Sequence, residues 1–130
     1  MKALIVDDSA VMRKVLQRAL KEAGLGVTEV VGATNGQEAL EYLRSQQDSG
    51  EGLQLILCDI NMPLMDGLTF LEQATQETLI ADVPVVIITT EGAERLVLRA
   101  IAAGARGYIC KPFTADQVRS RIQPLLRGAV

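Results

Sequence analysis

Five short apolar runs alternate along the chain with longer stretches in which apolar residues recur every three or four positions. Because the runs are too short for independent helices and are rich in Val, Ile and Leu, they predict buried strands. The predicted strands cover residues 3–6, 27–32, 55–58, 83–89 and 107–110. Runs that are apolar throughout, rather than alternating with polar residues, indicate a sheet buried on both faces.

The stretches between and after these strands predict five amphipathic helices. Asn35, with Glu38 three residues later, is a cap signal for a second helix that opens at Gly36. Thr114, with Gln117 as its partner, is the corresponding signal for the fifth helix, and we expect Pro124 to kink or end that helix. The remaining helices are predicted over residues 11–21, 68–77 and 93–103, with stop signals at Gly24, Gly26 and Gly104.

Five strands alternating with five helices predict a doubly wound α/β fold, because right-handed crossovers place the helices on both faces of a parallel sheet. A length of 130 residues is the size of one domain, so we expect residues 1–130 to form a single domain. In such sheets ligands bind beyond the carboxyl ends of the strands. The strand ends are therefore where functional side chains are expected.

Composition narrows the function classes. A formal net charge of −3 argues against nucleic-acid binding. No apolar stretch approaches the roughly 18 residues of a membrane span, and the first apolar run stops at Asp7, so we expect a cytoplasmic protein without a secretory signal. Cys58 and Cys110 are far apart in a chain without histidine, which argues against a zinc site and favours two small buried apolar residues.

Four of the five predicted strands end in polar residues with related chemistry. The first ends in Asp7 and Asp8, the third in Asp59, the fourth in Thr89, and the fifth in Lys111. Three converging carboxylates would raise one another's pKa unless a cation lay among them, and hard oxygen ligands suit Mg²⁺ or Mn²⁺. Lys111 and Thr89 could then bind phosphate oxygens, and Asp59 could be a nucleophile, so these strand ends predict phosphoryl transfer.

Each of these residues also has an ordinary structural interpretation. Asp7 and Asp8 could be helix caps, Asp59 a loop acid, Lys111 a solvated lysine and Thr89 a β-branched strand residue. Four independent coincidences at four strand ends would be needed for that interpretation, so the phosphoryl site is favoured. Residues 45–52, SQQDSGEG, predict only a flexible polar loop.

Five motifs, in this order, resemble the receiver domains of bacterial response regulators, in particular stand-alone chemotaxis regulators of the CheY type. They are LIVDDS at the first strand, ATNGQEAL at the second helix, DINMPLMDG after the third strand, ITTEG after the fourth and AAGARGYICKPF around the fifth. The resemblance covers nearly the whole chain. It implies a flavodoxin-like sheet in the order 2-1-3-4-5, which separates the third and fifth strands and excludes a disulfide between the cysteines.

The resemblance implies a role for each matching residue. Asp59 would accept the phosphoryl group, with Lys111 binding phosphate and Thr89 as the switch hydroxyl. Asp7, Asp8, Asp59 and the backbone carbonyl of Asn61 would bind Mg²⁺. Tyr108 would move inward as Thr89 moves toward the phosphoryl group, Asn61 and Glu91 would tune hydrolysis, and Lys111–Pro112 would be a cis peptide bond.

The resemblance also implies partners. A CheA-like histidine kinase would supply the phosphoryl group, since the chain has no histidine of its own. The phosphorylated protein, expected to be a monomer, would bind an output protein such as a flagellar motor switch component through the fourth helix, fifth strand and fifth helix. A phosphatase could end the signal. We expect no enzymatic activity beyond self-phosphorylation and self-dephosphorylation, and no output domain after the fifth helix.

Three other functions remain open at this stage. A phosphatase of the haloacid-dehalogenase type also uses an aspartyl nucleophile, but here Asn61 stands where a second carboxylate would be needed. A flavodoxin-like electron carrier would need a phosphate cradle where Asp7 and Asp8 stand. A phosphorylation-independent scaffold would be expected to lack parts of the site. Pilus motility, sporulation relays and phosphate sinks also use small receivers of this kind.

Overall fold

Strands and helices alternate without interruption in the structure, a computed structural model that describes residues 1–46, 52–62, 64–90 and 94–126. The elements are β1 Lys2–Val6, α1 Ala10–Glu22, β2 Glu29–Ala33, α2 Gly36–Ser45, β3 Leu55–Asp59, α3 Gly67–Gln76, β4 Val85–Thr90, α4 Glu94–Ala102, β5 Gly107–Lys111 and α5 Ala115–Leu126. The strands form one parallel sheet in the order β2-β1-β3-β4-β5. The predicted doubly wound α/β fold and its strand order are confirmed.

The sheet separates two apolar cores, one on each face. Successive residues of a strand point to opposite faces, so Leu4 and Ile56 belong to one core while Ile5 and Leu57 belong to the other. Helices α2, α3 and α4 cover the first core, and α1 and α5 cover the second. This double covering explains why the central strands are apolar throughout, as the sequence pattern indicated.

Side-chain caps fix where several helices begin. The Ser9 hydroxyl accepts a hydrogen bond from the Met12 N–H at 3.1 Å, so Ser9 caps α1 and neither of the preceding acids is its cap. The two cap signals found in the sequence are confirmed, since Asn35 caps α2 and Thr114 exchanges reciprocal bonds with Gln117. Among the described residues, no helix is long and apolar enough to span a membrane.

Several boundaries differ from the sequence prediction. Strand β4 begins at Val85 instead of residue 83, after Pro84, which has no N–H to donate to a ladder. Strand β2 spans Glu29–Ala33, because its pairing with β1 starts at Glu29 opposite Lys2. Of the predicted loop at residues 45–52, residues 47–51 lie outside the described part of the chain.

Two other expectations are corrected in part. Of the two effects expected of Pro124, a kink or an end to the helix, the second does not occur, since α5 continues to Leu126. The proline has no N–H to donate to the carbonyl of Ser120, and Ser120 is itself an exposed residue. Cys110 is only half-buried because β5 is an edge strand, whereas Cys58 on the central strand β3 is buried. Both cysteines are free thiols.

Leu64, in the loop between β3 and α3, has an unfavourable backbone conformation. Its φ is 66°, in the left-handed region, and its side chain is 90% exposed. For residues with a Cβ this region costs roughly 1–2 kcal/mol, and the exposed side chain gains little packing in return. We expect Leu64→Gly to raise the free energy of unfolding by about 0.5–1 kcal/mol in urea denaturation. Leu64→Ala, which keeps the Cβ, should not; an equal gain in both variants would contradict the strain argument.

Candidate functional site

Asp7, the first residue after β1, is buried, and all but one of its polar atoms are hydrogen-bonded. Its N–H donates to the carbonyl of Ala33 at 3.0 Å, and its own carbonyl accepts a bond from Arg13 Nη1 at 2.6 Å. Its Oδ1 accepts a bond from the Ser9 N–H at 2.9 Å. Its Oδ2 is buried and has no hydrogen-bond partner among the described residues. A buried carboxylate oxygen without a partner is costly unless a ligand binds it.

The structure brings three of the predicted acids together. Asp7, Asp8 and Asp59 each offer a carboxylate oxygen, and these three oxygens lie within 4.8 Å of one another. They meet because β1 and β3 are adjacent parallel strands, so the carboxyl ends of both strands lie at the same edge of the sheet. Asp7 and Asp59 are buried, and Asp8 is exposed. The cluster therefore opens to solvent on the side of Asp8.

Lys111 lies on the other side of Asp59. Its Nζ is 3.8 Å from Asp59 Oδ2, and both side chains are largely shielded from solvent. Burial raises the pKa of Asp59, the charge of Lys111 lowers it, and the nearby charge of Asp7 raises it again. The backbone N–H groups of Asn61 and Ile60, next to the carboxylate, also lower the pKa of Asp59. One lysine therefore offsets only part of the cost of burying this acid.

The pKa of Asp7 is also raised, first by burial, while the hydrogen bond from Ser9 and the charge of Lys111 lower it. Burial is the first cause of the raised pKa in both Asp7 and Asp59, and the charge of Lys111 offsets it only in part. The donors are carboxylate oxygens, one of them buried without a partner, which is the ligand chemistry of Mg²⁺. The residues present therefore fit a divalent cation.

Metal-free stability should depend on pH through these acids. A carboxyl whose pKa is higher in the folded state binds its proton more tightly there, so stability falls as pH rises past the unfolded value. Asp59→Asn removes that cost, so without metal the variant should be more stable than the parent at pH 7. The difference should shrink as pH falls below the raised pKa of Asp59. Urea denaturation with a chelator at pH 7 and pH 4 measures this, and a variant less stable at pH 7 would contradict the argument.

The loop from Asp59 to α3 is held close to the site by Gly67. The N–H of Gly67 donates to the carbonyl of Ile60 at 2.8 Å. A Cβ added at Gly67 would lie 2.3 Å from the carbonyl oxygen of Asp59, closer than real Cβ contacts come. Asp66 caps α3 directly before it. The sequence MDG at residues 65–67 is a signal for a turn before a helix, and such a signal does not contain this close approach.

The remaining predicted site residues are less closely connected to the acids. Thr89 is buried at the end of β4, and its hydroxyl donates to the carbonyl of Thr90 at 3.4 Å. Tyr108 is half-buried on β5, and the guanidinium of Arg121 lies 4.8 Å from its ring centroid. Asn61 is exposed, and Glu91 lies outside the described residues. The Lys111–Pro112 peptide bond is cis, as predicted.

Taken together, this edge of the sheet combines two buried acids, one exposed acid and a lysine 3.8 Å from one of the buried acids. The sequence profile of the family described as "Response regulator receiver domain" matches residues 3–123. The chain belongs to this family. This assignment decides against the haloacid-dehalogenase and electron-carrier alternatives.

Individual relatives support the same family assignment. The chain is 35% identical over 126 residues to the chemotaxis protein CheY1 of Helicobacter pylori, covering 97% of each chain. It is 35% identical to a chemotaxis protein CheY homolog of Campylobacter jejuni, covering 97% of this chain and 92% of the relative. A crystal structure of the chemotaxis protein CheY4 of Vibrio cholerae superposes with a TM-score of 0.79 at 30% identity, over 95% of this chain and 97% of that one.

Proposed function

We propose that residues 1–130 form a single receiver domain that accepts a phosphoryl group on Asp59 from a histidine kinase and thereby changes its binding to a partner. The observation that carries the proposal is the meeting of Asp7, Asp8 and Asp59 within 4.8 Å, with Lys111 3.8 Å from Asp59. A structural role alone would not need three acids at one sheet edge, since their repulsion costs stability.

Mg²⁺ would be held by the carboxylates of Asp7, Asp8 and Asp59 and by the backbone carbonyl of Asn61. When bound, the ion supplies positive charge to the phosphoryl oxygens and to the attacking carboxylate. Asp7 Oδ2 is suited to this role, because every other polar atom of Asp7 already has a hydrogen-bond partner.

Asp59 is the nucleophile. One of its carboxylate oxygens forms a bond to phosphorus as the bond from phosphorus to the donor's imidazole nitrogen breaks, with the electron pair returning to that nitrogen. Lys111 neutralises charge on the transferred group. Hydrolysis reverses the state when water attacks phosphorus and the Asp59 carboxylate leaves, and Asn61 and Glu91 tune the access of that water. The protein is thus a phosphoacceptor and not a classical enzyme.

The output follows from the added charge. A phosphoryl group brings three acceptor oxygens to the buried end of β3, where the Thr89 hydroxyl on the neighbouring strand can bond one of them. Movement of Thr89 would let Tyr108 turn inward, changing the surface formed by α4, β5 and α5. Relatives named as chemotaxis proteins favour an output partner of the motor-switch kind.

The proposal is tested by the intact mass of the protein after incubation with acetyl phosphate and Mg²⁺. We expect one added phosphoryl group in the parent protein, none in Asp59→Asn and none with a chelator. Asp66→Asn is the matched control, because it makes the same change in the same loop and keeps a capping side chain. No adduct on the parent under any condition, with hydrolysis shown to be too slow to hide it, would favour a phosphorylation-independent scaffold.

A further inference from the structure

Arg13 connects the end of β1 to the end of β2. It lies in the first turns of α1 and is half-buried, and its Nη1 donates to the carbonyl of Asp7 at 2.6 Å. Its side chain crosses β2 at Gly32, where an added Cβ would lie 3.3 Å from both Arg13 Cδ and Arg13 Nε. Among the described residues, those two atoms are the only ones that such a Cβ would meet. The absence of a side chain at position 32 therefore gives Arg13 its path.

Arg13 also acts on the start of α2. The pKa of Glu38 is lowered, mainly by the hydrogen bond from the Thr34 N–H and more weakly by the charge of Arg13. Glu38 Oε1 accepts that bond at 2.8 Å. The guanidinium therefore lies between the loop after β1 and the loop after β2. On the first side it donates to the carbonyl of Asp7, and on the second it acts on the charge of Glu38.

The bond from Arg13 completes the set that fixes Asp7. Ala33 holds the N–H of Asp7, Arg13 holds its carbonyl, and Ser9 holds Oδ1. These three bonds fix both backbone groups and Oδ1 of Asp7, and they thereby fix the orientation of its carboxylate. The second oxygen, Oδ2, is buried and has no hydrogen-bond partner among the described residues. Without Arg13, the peptide between Asp7 and Asp8 could rotate, and rotation of that peptide would move both acids.

We propose that Arg13 is a positioning residue that fixes the Asp7–Asp8 peptide so that both carboxylates are preorganised for Mg²⁺. Gly32 contributes by leaving room for the Arg13 side chain. The inference rests on the proposed function, since it assumes that these acids bind the ion. Residues that orient metal ligands without touching the metal typically contribute about 10–100-fold to metal affinity.

Charge alone predicts the opposite result. Arg13 places a positive charge near a cation site, so removing it should strengthen Mg²⁺ binding if electrostatics dominated. Positioning predicts weaker binding when the same charge is removed. The direction of the change in affinity therefore separates the two accounts, which a loss of activity could not do.

The test is the Mg²⁺ dissociation constant, measured by titrating ¹⁵N-labelled protein with MgCl₂ and following backbone amide shifts. We expect Arg13→Met to weaken binding roughly 10-fold. Arg13→Lys should recover part of the affinity, because a lysine can still donate one bond. Arg18→Met is the matched control on the exposed face of α1 and should leave the constant within about two-fold of the parent, since long-range charge effects are screened.

Gly32→Ala tests the positioning role of Arg13 without changing Arg13 or the acids themselves. Its Cβ would lie 3.3 Å from Arg13 Cδ and Nε, so the Arg13 side chain would have to shift by a few tenths of an ångström, and the variant should weaken Mg²⁺ binding in the same direction as Arg13→Met. Combined with Arg13→Met, it should add little further loss. Unchanged or tighter binding in Arg13→Met, with the folded amide spectrum retained, would overturn the inference. A parent protein that binds no Mg²⁺ would instead overturn the proposed function.

Discussion

Asp8→Ala is expected to abolish Mg²⁺ binding while leaving the fold intact. The side chain of Asp8 is exposed, so removing it takes little packing from the protein. It nevertheless supplies one of the three carboxylate oxygens that meet within 4.8 Å, and the combined negative charge of these oxygens is what the cluster offers to Mg²⁺. Loss of one ligand should therefore cost the site most of its affinity.

The change is measured as the effect of Mg²⁺ on thermal stability. A ligand that binds only the folded state stabilises it by about 2.7 kcal/mol when its concentration is 100 times the dissociation constant. The parent protein should show a rise in Tm with increasing Mg²⁺, and Asp8→Ala should show none. Asp82→Ala, another exposed acid, is the control and should respond as the parent does. A normal Mg²⁺ response in Asp8→Ala would refute the role assigned to Asp8.

Gly67→Ala is expected to destabilise the protein by about 3 kcal/mol, the upper end of the usual cost of overpacking. Helix propensity predicts the opposite sign, since alanine is a better helix former than glycine by roughly 1 kcal/mol. We expect the steric clash to outweigh helix propensity, because the added Cβ would lie 2.3 Å from the carbonyl oxygen of Asp59. That oxygen belongs to a buried central strand, which has little freedom to move.

Thermal denaturation followed by circular dichroism measures this effect. We expect Tm to fall by about 10 °C, from the usual scaling of Tm with free energy for domains of this size. Gly52→Ala is the control, because a Cβ at Gly52 would meet no atom of the described residues within 4 Å. Because the strain acts on Asp59 itself, Gly67→Ala should also slow phosphorylation. A variant as stable as the parent would show that α3 does not close on Asp59 as described.

Much of the fold could be predicted because its strands are apolar throughout and its helices have clear caps. A short run that is apolar throughout, such as residues 55–58, predicts a strand that is covered on both faces. The acid cluster could be predicted for a related reason. Parallel strands end at the same edge, so Asp7 and Asp59 had to be near each other once the fold was known.

The rest depended on how close the elements come to one another, which a sequence pattern does not contain. Arg13 is one of several polar residues on α1, and only the path of its side chain past Gly32 brings its guanidinium to Asp7. Gly67 followed an ordinary turn signal, and its role became clear only from the distance to Asp59. Cys110 looked like Cys58 until the strand order placed it on an edge.

If Asp59 carries the phosphoryl group, chemical labelling of the phosphorylated protein will identify it as the modified residue. Borohydride reduces an aspartyl phosphate to homoserine, so treating the phosphorylated protein and sequencing its peptides by mass spectrometry marks the acceptor. We predict homoserine at position 59 only, dependent on Mg²⁺ and on the phosphodonor. Homoserine at Asp7, Asp8 or Asp66 with Asp59 unmodified would contradict the account.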